Sequence, residues 1–355
     1  GDTLIFSDYA RNWATNKIII DSNGLNYQSR ADTWTVEYST DGLSLAITYM
    51  DATQGWIPTT DDDVTDAPYK GNSEGIFGFG WTGSNTGVTN LVSNAGVVAT
   101  DVAAVGTARH GAAACEYGGD KGIFGYGNTG SNVSMTNLVS NAGVVASDVT
   151  GVGTARSSLV ACSYGGDKGI FGFGWDTATS YSMTNLVSNA GVVGTDVTGV
   201  GTARHYPAAC EYGEDKGIFA YGHDDSSLVS MSNLVSNVGV VGSDVTGVGT
   251  ARNEAYGCGY GYDKGIIAYG HDGDATTVSN LVSNAGVVAT DTAGVGTARY
   301  YPGATQYGYD KGIFAYGQAA GFLNLSNLVS NAGVVGADVT GVGTARNNAE
   351  ACSFN

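Results

Sequence analysis

The sequence predicts an all-β protein, a six-bladed β-propeller with four-stranded blades that follows a small β module. Three sequence motifs, GIFGFG or a close variant, NLVSN and GTAR, each recur six times, and every spacing is 47 or 48 residues. A period of this length without a helical pattern is typical of propeller blades and not of helical solenoids. GIFGFG or its variant begins at Gly75, Gly122, Gly169, Gly217, Gly265 and Gly312, and NLVSN begins at Asn90, Asn137, Asn185, Asn233, Asn280 and Asn327.

Each repeat divides into four short strands. Residues 158–165 are apolar and lead into a Gly-Gly-Asp turn, and 168–174 follow as the second strand of a tight hairpin. Residues 184–189 and 191–197 are the third and fourth strands, joined by an Asn-Ala-Gly turn. The glycines of the second strand remove side chains from one face, so neighbouring blades can approach closely.

The two ends of the repeat array complete one another. The first GIFGFG, at 75–80, has no complete first strand before it, and 349–355 is a first strand without a second. Pairing these segments closes a ring of six blades, and closure removes the exposed sheet edges of an open array. In the alternative, DAPY at 66–69 supplies a partial first strand to blade one.

Residues 1–57 lack the three repeated motifs and are interpreted as the small β module. Their predicted strands cover 3–9, 17–21, 33–39 and 43–51, with Ser-Asn-Gly and Thr-Asp-Gly turns. Fewer than 60 residues is marginal for a separate domain, so we expect the module to pack on itself, on sister chains or on the propeller. The acidic segment 58–73 is the predicted linker, and the propeller then spans 74–355.

The overall charge excludes two classes of partner. The net charge is −18, with only 15 basic residues, whereas phosphate binding needs clustered Lys and Arg. No apolar run approaches the roughly 20 residues that span a bilayer. We therefore predict no nucleic-acid partner and no membrane insertion. Gly1 opens directly into a strand-like run, so we expect the chain to be cut from a longer protein.

One set of charges is locked to the repeat. An aspartate stands eight residues before each GTAR arginine, and we predict structural ion pairs within or between blades, bidentate where geometry permits. The alternative is a ring of charged ligands at a channel mouth. The residues are Asp101 and Arg109, Asp148 and Arg156, Asp196 and Arg204, Asp244 and Arg252, Asp291 and Arg299, and Asp338 and Arg346.

The five cysteines are locked to the repeat as well. Each lies six residues after a GTAR arginine, and Thr305 takes this place in the remaining repeat. Equivalent positions on different blades are too far apart for a disulfide. We therefore predict that Cys115, Cys162, Cys210, Cys258 and Cys352 are small buried apolar residues and neither metal ligands nor nucleophiles.

The differences between repeats concentrate in two segments, the three residues after each arginine and the loop between the second and third strands. In an up-and-down blade both segments emerge on one face, which we call the variable face, while the nearly invariant turns emerge on the other. All four histidines lie there, beside aromatic and acidic residues. The candidate ligand-binding residues are Trp81, His110, Trp175, Asp176, His205, Tyr206, His223, Asp224, Asp225, His271, Asp272, Tyr300 and Tyr301.

This mixture of side chains favours carbohydrate binding. Flat rings stack on the C–H faces of sugars, and neighbouring carboxylates and amides fix the orientation of hydroxyl groups. The alternative is ordinary loop drift, because loops tolerate variety. The sequence predicts no enzyme, cofactor or metal site, since no His pairs with Ser or Cys at a recognisable elbow and the histidines are assigned to different blades. The acidic run at 61–63 is interpreted as solvated linker.

Two resemblances add to this interpretation. The order TAR, apolar strand, Gly-Gly-Asp-Lys and GIFGYG resembles a kelch repeat over residues 75–355, although NLVSN and GVV replace the usual Tyr and Trp of the third and fourth strands. The kelch likeness therefore concerns blade layout. The segment GDTLIFSDYARNWATN followed by YSTDGLSLAITYMDATQGWIP, over 1–57, resembles a small β module in fibre and appendage proteins of tailed bacteriophages.

The second resemblance implies a place and partners for the protein. The motifs GIFGYG, NLVSN and GVGTAR are similar to those of structural proteins of the same phages. This likeness implies an extracellular protein of the virion surface, with other virion proteins as partners and a homotrimer formed through the module. We predict a tail-fibre or decoration protein whose variable face binds a host-surface glycan during host attachment. The alternatives are a purely structural fibre-tip or spacer protein and a secreted β-propeller lectin.

Overall fold

The computed structural model of the chain describes residues 1–31, 35–60 and 72–355. The chain divides into two compact units, Gly1–Lys70 and Gly71–Asn355. All regular secondary structure of the described residues is β, as the sequence predicts. Within these residues there is no helix with the length and apolar character needed to cross a membrane.

The described part of the first unit contains five strands in two antiparallel sheets. The sheets have the orders β1-β4-β5 and β2-β3, and a buried cluster that includes Tyr27, Tyr38, Leu45 and Ile47 forms the core. The strands are β1 (Thr3–Ser7), β2 (Ile18–Ile20), β3 (Val36–Tyr38), β4 (Ser44–Tyr49) and β5 (Trp56–Thr60). The last strand crosses the predicted boundary between module and linker at 57/58. The rest of the linker, the acidic run and the DAPY alternative lie mainly or wholly within 61–71, outside the described residues.

The second unit contains six three-stranded antiparallel sheets, one for each repeat. We number them one to six in chain order. The strands are β6 (Glu74–Gly78), β7 (Thr89–Val92), β8 (Ala113–Tyr117), β9 (Lys121–Gly125), β10 (Thr136–Val139), β11 (Val160–Tyr164), β12 (Lys168–Gly172), β13 (Thr184–Val187), β14 (Ala208–Tyr212), β15 (Lys216–Ala220), β16 (Ser232–Val235), β17 (Tyr256–Tyr260), β18 (Lys264–Ala268), β19 (Ser279–Val282), β20 (Gly303–Tyr307), β21 (Lys311–Ala315), β22 (Ser326–Val329) and β23 (Glu350–Phe354).

The predicted fourth strand of each repeat is not a full sheet strand. In the third repeat it touches β13 only through the isolated bridges Val187↔Val193 and Thr184↔Val197, which differ in register by one residue. Between these bridges the side-chain amide of Asn185 donates to the backbone carbonyl of Gly194 at 3.1 Å. A side chain thus replaces a backbone donor, so the ladder is interrupted and the sheet has three strands where four were predicted.

The C-terminal strand completes the first sheet. β23 pairs with β6 in antiparallel register, from Glu350↔Gly78 to Phe354↔Glu74. Beyond the strand, the amide of Ser73 donates to the carbonyl of Asn355 at 2.9 Å. This is the pairing of 349–355 with 75–80 that the sequence predicts.

Neighbouring sheets pack through buried side chains. The first strand of each sheet lies against that of the next, in the order β8, β11, β14, β17, β20, β23 and back to β8. At each junction a glycine of one second strand faces a side chain of the preceding sheet. At Gly169, for example, an added Cβ would overlap the sulfur of Cys115. All five cysteines are free and buried, as predicted, and they fill the space that the glycines leave.

Candidate functional site

The two variable segments of each repeat are joined by backbone pairing. Isolated antiparallel bridges link the residue after each arginine to the residue that opens the following variable loop. The six bridges are Trp81↔Asn347, His110↔Asn128, Ser157↔Trp175, His205↔His223, Asn253↔His271 and Tyr300↔Gln318. The sequence-variable positions therefore lie side by side in the structure.

Seven of the candidate aromatic residues form one continuous network. Trp175 contacts His205, which contacts both His223 and Tyr206, with ring centroids 5.1–5.8 Å apart. The contacts continue from Tyr206 to Tyr301, to Tyr300 and to His271, at 5.1–5.6 Å. All seven side chains are half-buried, so each keeps some surface for solvent or a ligand. Trp81 and His110 form a separate pair with centroids 5.1 Å apart.

The second residue after each arginine has a left-handed backbone. The values of φ lie between 48° and 58° for Gly111, Ser158, Tyr206, Glu254, Tyr301 and Asn348. Five backbone hydrogen bonds of 2.8–3.2 Å connect these residues in chain order, each amide donating to the carbonyl of the preceding member. Gly111 and Asn348 are residue types that favour this conformation, whereas the other four are not, so the sequence does not predict it for the whole set.

The left-handed backbone carries a conformational cost at these positions. A residue with a Cβ costs roughly 1–2 kcal/mol in this backbone region, whereas glycine is free of that cost. The conformation recurs in all six repeats, so it is a property of the repeat. Tyr206 and Tyr301 occupy two of the positions, and their half-buried rings contact each other.

His205 lies at the centre of a polar cluster. The hydroxyl of Ser180 is 2.8 Å from His205 Nδ1 and donates to Asp225 Oδ1 at 2.6 Å. Asp225 Oδ1 is 3.3 Å from the same imidazole nitrogen. Burial and neighbouring His223 lower the pKa of His205, while Asp225 opposes this shift. Ser180 belongs to the preceding repeat, 25 residues before His205, and the sequence offers no signal for it.

The cluster corrects one sequence-based argument. The histidines were assigned to different blades, and no metal site was expected for that reason. In the structure His205 and His223 belong to one repeat and are bridged by reciprocal backbone hydrogen bonds of 3.0 Å. Together with Asp225 they present one donor atom each, all within 4.8 Å of one another, so these three residues could hold a metal ion.

The other three candidate aspartates mainly serve their own loops. Asp224 accepts from the hydroxyl of Ser226 at 2.7 Å, and hydrogen bonds of this kind lower its pKa to about 2. Asp176 accepts from the hydroxyl of Tyr181 at 2.5 Å. Asp272 accepts from the amide of Asp274 at 3.4 Å. Of the four candidate aspartates, Asp225 is the one that reaches a neighbouring repeat, through Ser180.

The repeat-locked arginines are fully buried. Arg156 donates from Nε to the carbonyl of Phe173 at 2.7 Å and from Nη2 to Asn185 Oδ1 at 2.9 Å. Its guanidinium carbon lies 4.5 Å from the ring centroid of Tyr126. All six arginines have 0% exposed surface, so they are not accessible as a ring of ligands.

The arginines and aspartates are linked through intermediaries and not as bidentate pairs. The closest direct approach given by the structure is 4.0 Å, between Arg109 Nη1 and Asp148 Oδ1, and it joins one repeat to the next. Asp148 instead accepts from the hydroxyl of Thr107 at 2.6 Å and from the Asn137 amide at 2.9 Å. Burial opposes ionisation of Asp148, but these hydrogen bonds lower its pKa. The bidentate geometry fails because Asn137 occupies the space between the two charges.

A narrow cavity of about 50 Å³ is lined by the first strands of five sheets and by β23. Its lining includes the carboxylates of Glu116 and Glu211, and burial raises the pKa of both. Glu350 is also buried, and it accepts from the Tyr256 hydroxyl at 2.9 Å. These acids are a feature that the repeat pattern does not predict.

Comparison with known proteins assigns no family. No protein-family model matches the chain, and no curated protein sequence matches it.

Proposed function

We propose that the second unit is a closed six-bladed β-propeller with a kelch-like layout. Six buried clusters support this architecture, because each is built from two successive sheets and the sixth joins sheets six and one. The pairing of β23 with β6 further supports closure. In this architecture the segment after each three-stranded sheet is the irregular outer strand of a blade.

The variable face of this propeller binds an external ligand, and a host-surface glycan is the best candidate. The observation that carries this proposal is the continuous network of seven half-buried rings. Aromatic faces bind the C–H surfaces of sugars, while the hydroxyl, imidazole and carboxylate groups around His205 can accept and donate hydrogen bonds.

The proposed setting is the surface of a tailed-phage virion. It rests on the resemblance of residues 1–57 to fibre modules, which also suggests other virion proteins as partners and a homotrimer. A purely structural spacer remains the second candidate, because the invariant glycines serve packing and the invariant arginines, asparagines and aspartates bond to one another and to the backbone. A secreted lectin would share the binding face but would have no virion partners.

The test measures binding of the full chain to a glycan array and to intact bacterial cells. Trp175→Ala and Tyr301→Ala should each weaken binding about tenfold, since each removes a ring from the network. Tyr9→Ala is the matched control, because this tyrosine is 99% exposed and lies in the first unit. Absence of binding by the folded parent chain would favour the spacer. Equal losses in all three variants would contradict a role for the variable face.

A further inference from the structure

Two imidazoles and one carboxylate meet on the variable face of the fourth repeat. His205, His223 and Asp225 each direct one donor atom into a region where these atoms lie within 4.8 Å of one another. We propose that these three residues bind a divalent transition-metal ion of the Zn²⁺ class. The inference does not depend on whether the face also binds a glycan.

The spacing of the donors fits such an ion. Ligands bound at about 2.0–2.1 Å in a tetrahedron are about 3.3 Å apart. The distance between His205 Nδ1 and Asp225 Oδ1 is 3.3 Å. The rings of His205 and His223 are inclined by only 36° with centroids 5.1 Å apart, so their edges can face a common point.

The backbone holds the two histidines in place. His205 and His223 exchange amide-to-carbonyl hydrogen bonds of 3.0 Å in both directions. This pairing fixes the two Cα positions, so ordering them adds little to the cost of binding. A preorganised pair of imidazoles is the arrangement that metal sites require.

Hydrogen bonds from Ser180 hold the carboxylate of Asp225 in place. Ser180 directs its amide to Asp225 Oδ2 at 3.1 Å and its hydroxyl proton to Oδ1 at 2.6 Å. Since that proton is used, His205 Nδ1 donates its own proton to the Ser180 oxygen at 2.8 Å. Coordination through Nδ1 requires the other neutral tautomer. The Nδ1 proton leaves to solvent, Nε2 takes up a proton from solvent, and the lone pair freed on Nδ1 binds the metal ion.

His223 already presents a lone pair on this side. Its Nδ1 accepts the amide of Asp225 at 3.1 Å, so in the neutral ring this nitrogen carries no proton. Metal binding exchanges that long hydrogen bond for coordination. Asp225 is exposed and both histidines are half-buried, so an ion can enter from solvent.

The ligand set selects the class of metal. Imidazole nitrogens favour Zn²⁺, Co²⁺, Ni²⁺ and Cu²⁺, whereas Ca²⁺ and Mg²⁺ prefer sets made of oxygen. Three protein ligands leave at least one position for water or for a hydroxyl or carboxylate of another molecule. The site is therefore open and can connect the protein to an oxygen ligand outside it.

The repeats supply an internal comparison for this site. At the positions of His205, His223 and Asp225, the fifth repeat has Asn253, His271 and Gly273. The fifth repeat thus keeps one imidazole and lacks the other two ligands. It also identifies substitutions that the fold accepts, since asparagine stands at the first position and Gln318 at the second in the sixth repeat.

The experiment uses the full chain without an affinity tag, stripped of metal by a chelator that is then removed. Calorimetric titration with Zn²⁺ should give one bound ion per chain, and Co²⁺ should produce visible d–d absorption. His205→Asn and His223→Gln should each lower Zn²⁺ affinity about 100-fold, because even the loss of an outer hydrogen bond costs 10–100-fold in such sites. His271→Gln is the matched control and should leave the affinity for Zn²⁺ unchanged.

Two results would overturn the proposal. One is absence of Zn²⁺ binding by a parent chain whose metal-free thermal transition shows that it is folded. The other is binding that persists with the same stoichiometry in the double variant His205→Asn/His223→Gln. Thermal transitions of all variants in metal-free buffer check that a lost signal reflects lost ligands and not lost structure. Asp225→Asn provides a further variant, because asparagine tolerates the left-handed backbone at this position, where φ is 71°.

Discussion

At the scale of single residues, the acids of this protein fall into two groups with opposite pH behaviour. The repeat aspartates accept hydrogen bonds from threonine and asparagine, and although burial opposes ionisation, the pKa of Asp196 and of its five equivalents is lowered. At the buried glutamates, burial outweighs the hydrogen bonds that they accept, and the pKa of Glu116 and of Glu211 is raised. Burial raises the pKa of Glu350 to about 8, although the Tyr256 hydroxyl opposes the shift.

Glu350 should make the protein less stable as the pH rises. Its pKa in the folded chain, about 8, lies above the ordinary value of 4.5, so the folded state holds a proton that the unfolded state releases in that interval. Its contribution is fully present below 4.5 and is lost toward pH 8, at up to about 1.4 kcal/mol per pH unit. Glu350→Gln should remove this part of the pH slope, as measured by urea unfolding across the interval.

The parent chain is the reference for that measurement. Identical slopes in Glu350→Gln and the parent chain would mean that Glu350 is already ionised in the folded protein.

At the scale of elements, the junction between sheets rests on one steric match. The glycine that follows the first lysine of a second strand leaves room for a sulfur of the preceding sheet, as at Gly169 and Cys115. The same match occurs at Gly122, Gly217, Gly265 and Gly312, each against a cysteine, and at Gly75 against Thr305. The sequence predicts the close approach from the glycines, and it predicts the burial of the cysteines, but it does not show that the two features meet.

Gly169→Ala should destabilise the second unit by about 1–3 kcal/mol, because the new methyl group overlaps Cys115 Sγ. Adding Cys115→Ala should recover part of the loss, and a double-mutant cycle by chemical denaturation measures this coupling. Gly194→Ala is the matched control. Its Cβ would approach no atom closer than Leu186 O at 3.5 Å, and alanine stands at the same position in three other repeats, so the change should stay within about 0.5 kcal/mol. Additive losses at Gly169 and Cys115 would contradict the steric match.

The elements also show where sequence reasoning ends. Alternating apolar residues and turn glycines predict the first three strands of each repeat to within a few residues, because local chemistry determines them. The fourth segment fails since the side chain of Asn185 takes a backbone acceptor, an interaction between positions nine residues apart. The left-handed backbone of Tyr206 and the contact of Ser180 with His205 depend on neighbouring repeats, so no local pattern reveals them.

At the scale of the whole molecule, the second unit depends on a strand from the far end of the chain. β23 supplies one edge of the first sheet, and Phe354 and Cys352 belong to the cluster that joins sheets one and two. The sequence predicts this pairing from the incomplete repeats at the two ends. The variable face could likewise be predicted as a surface, whereas the metal-binding geometry within it could not.

Removing residues 350–355 should abolish the cooperative thermal transition of the second unit, because β6 loses one of its two partner strands and the apolar side chains of Cys352 and Phe354 leave the core. A synthetic peptide of residues 348–355 should restore the transition by adding a strand to the open edge. Labelled peptide should bind the truncated chain and not the intact chain in a fluorescence anisotropy experiment, with a scrambled peptide as control. Retention of a normal transition by the truncated chain would contradict this role of β23.

The pairing of β23 with β6 also affects folding during synthesis, because the two strands are made at different times. β6 leaves the ribosome about 280 residues before β23, which at roughly 5–20 residues per second is about a quarter of a minute to a minute. During this time the glycine-rich β6 edge has no partner within its own chain, while five complete sheets accumulate beside it. Nascent chains on neighbouring ribosomes carry first strands of the same length and register, such as β11 with VACSY against EACSF in β23, and such a strand can occupy the vacant edge before β23 emerges. Rapid translation of the final repeats therefore protects this protein from entangling with its own copies.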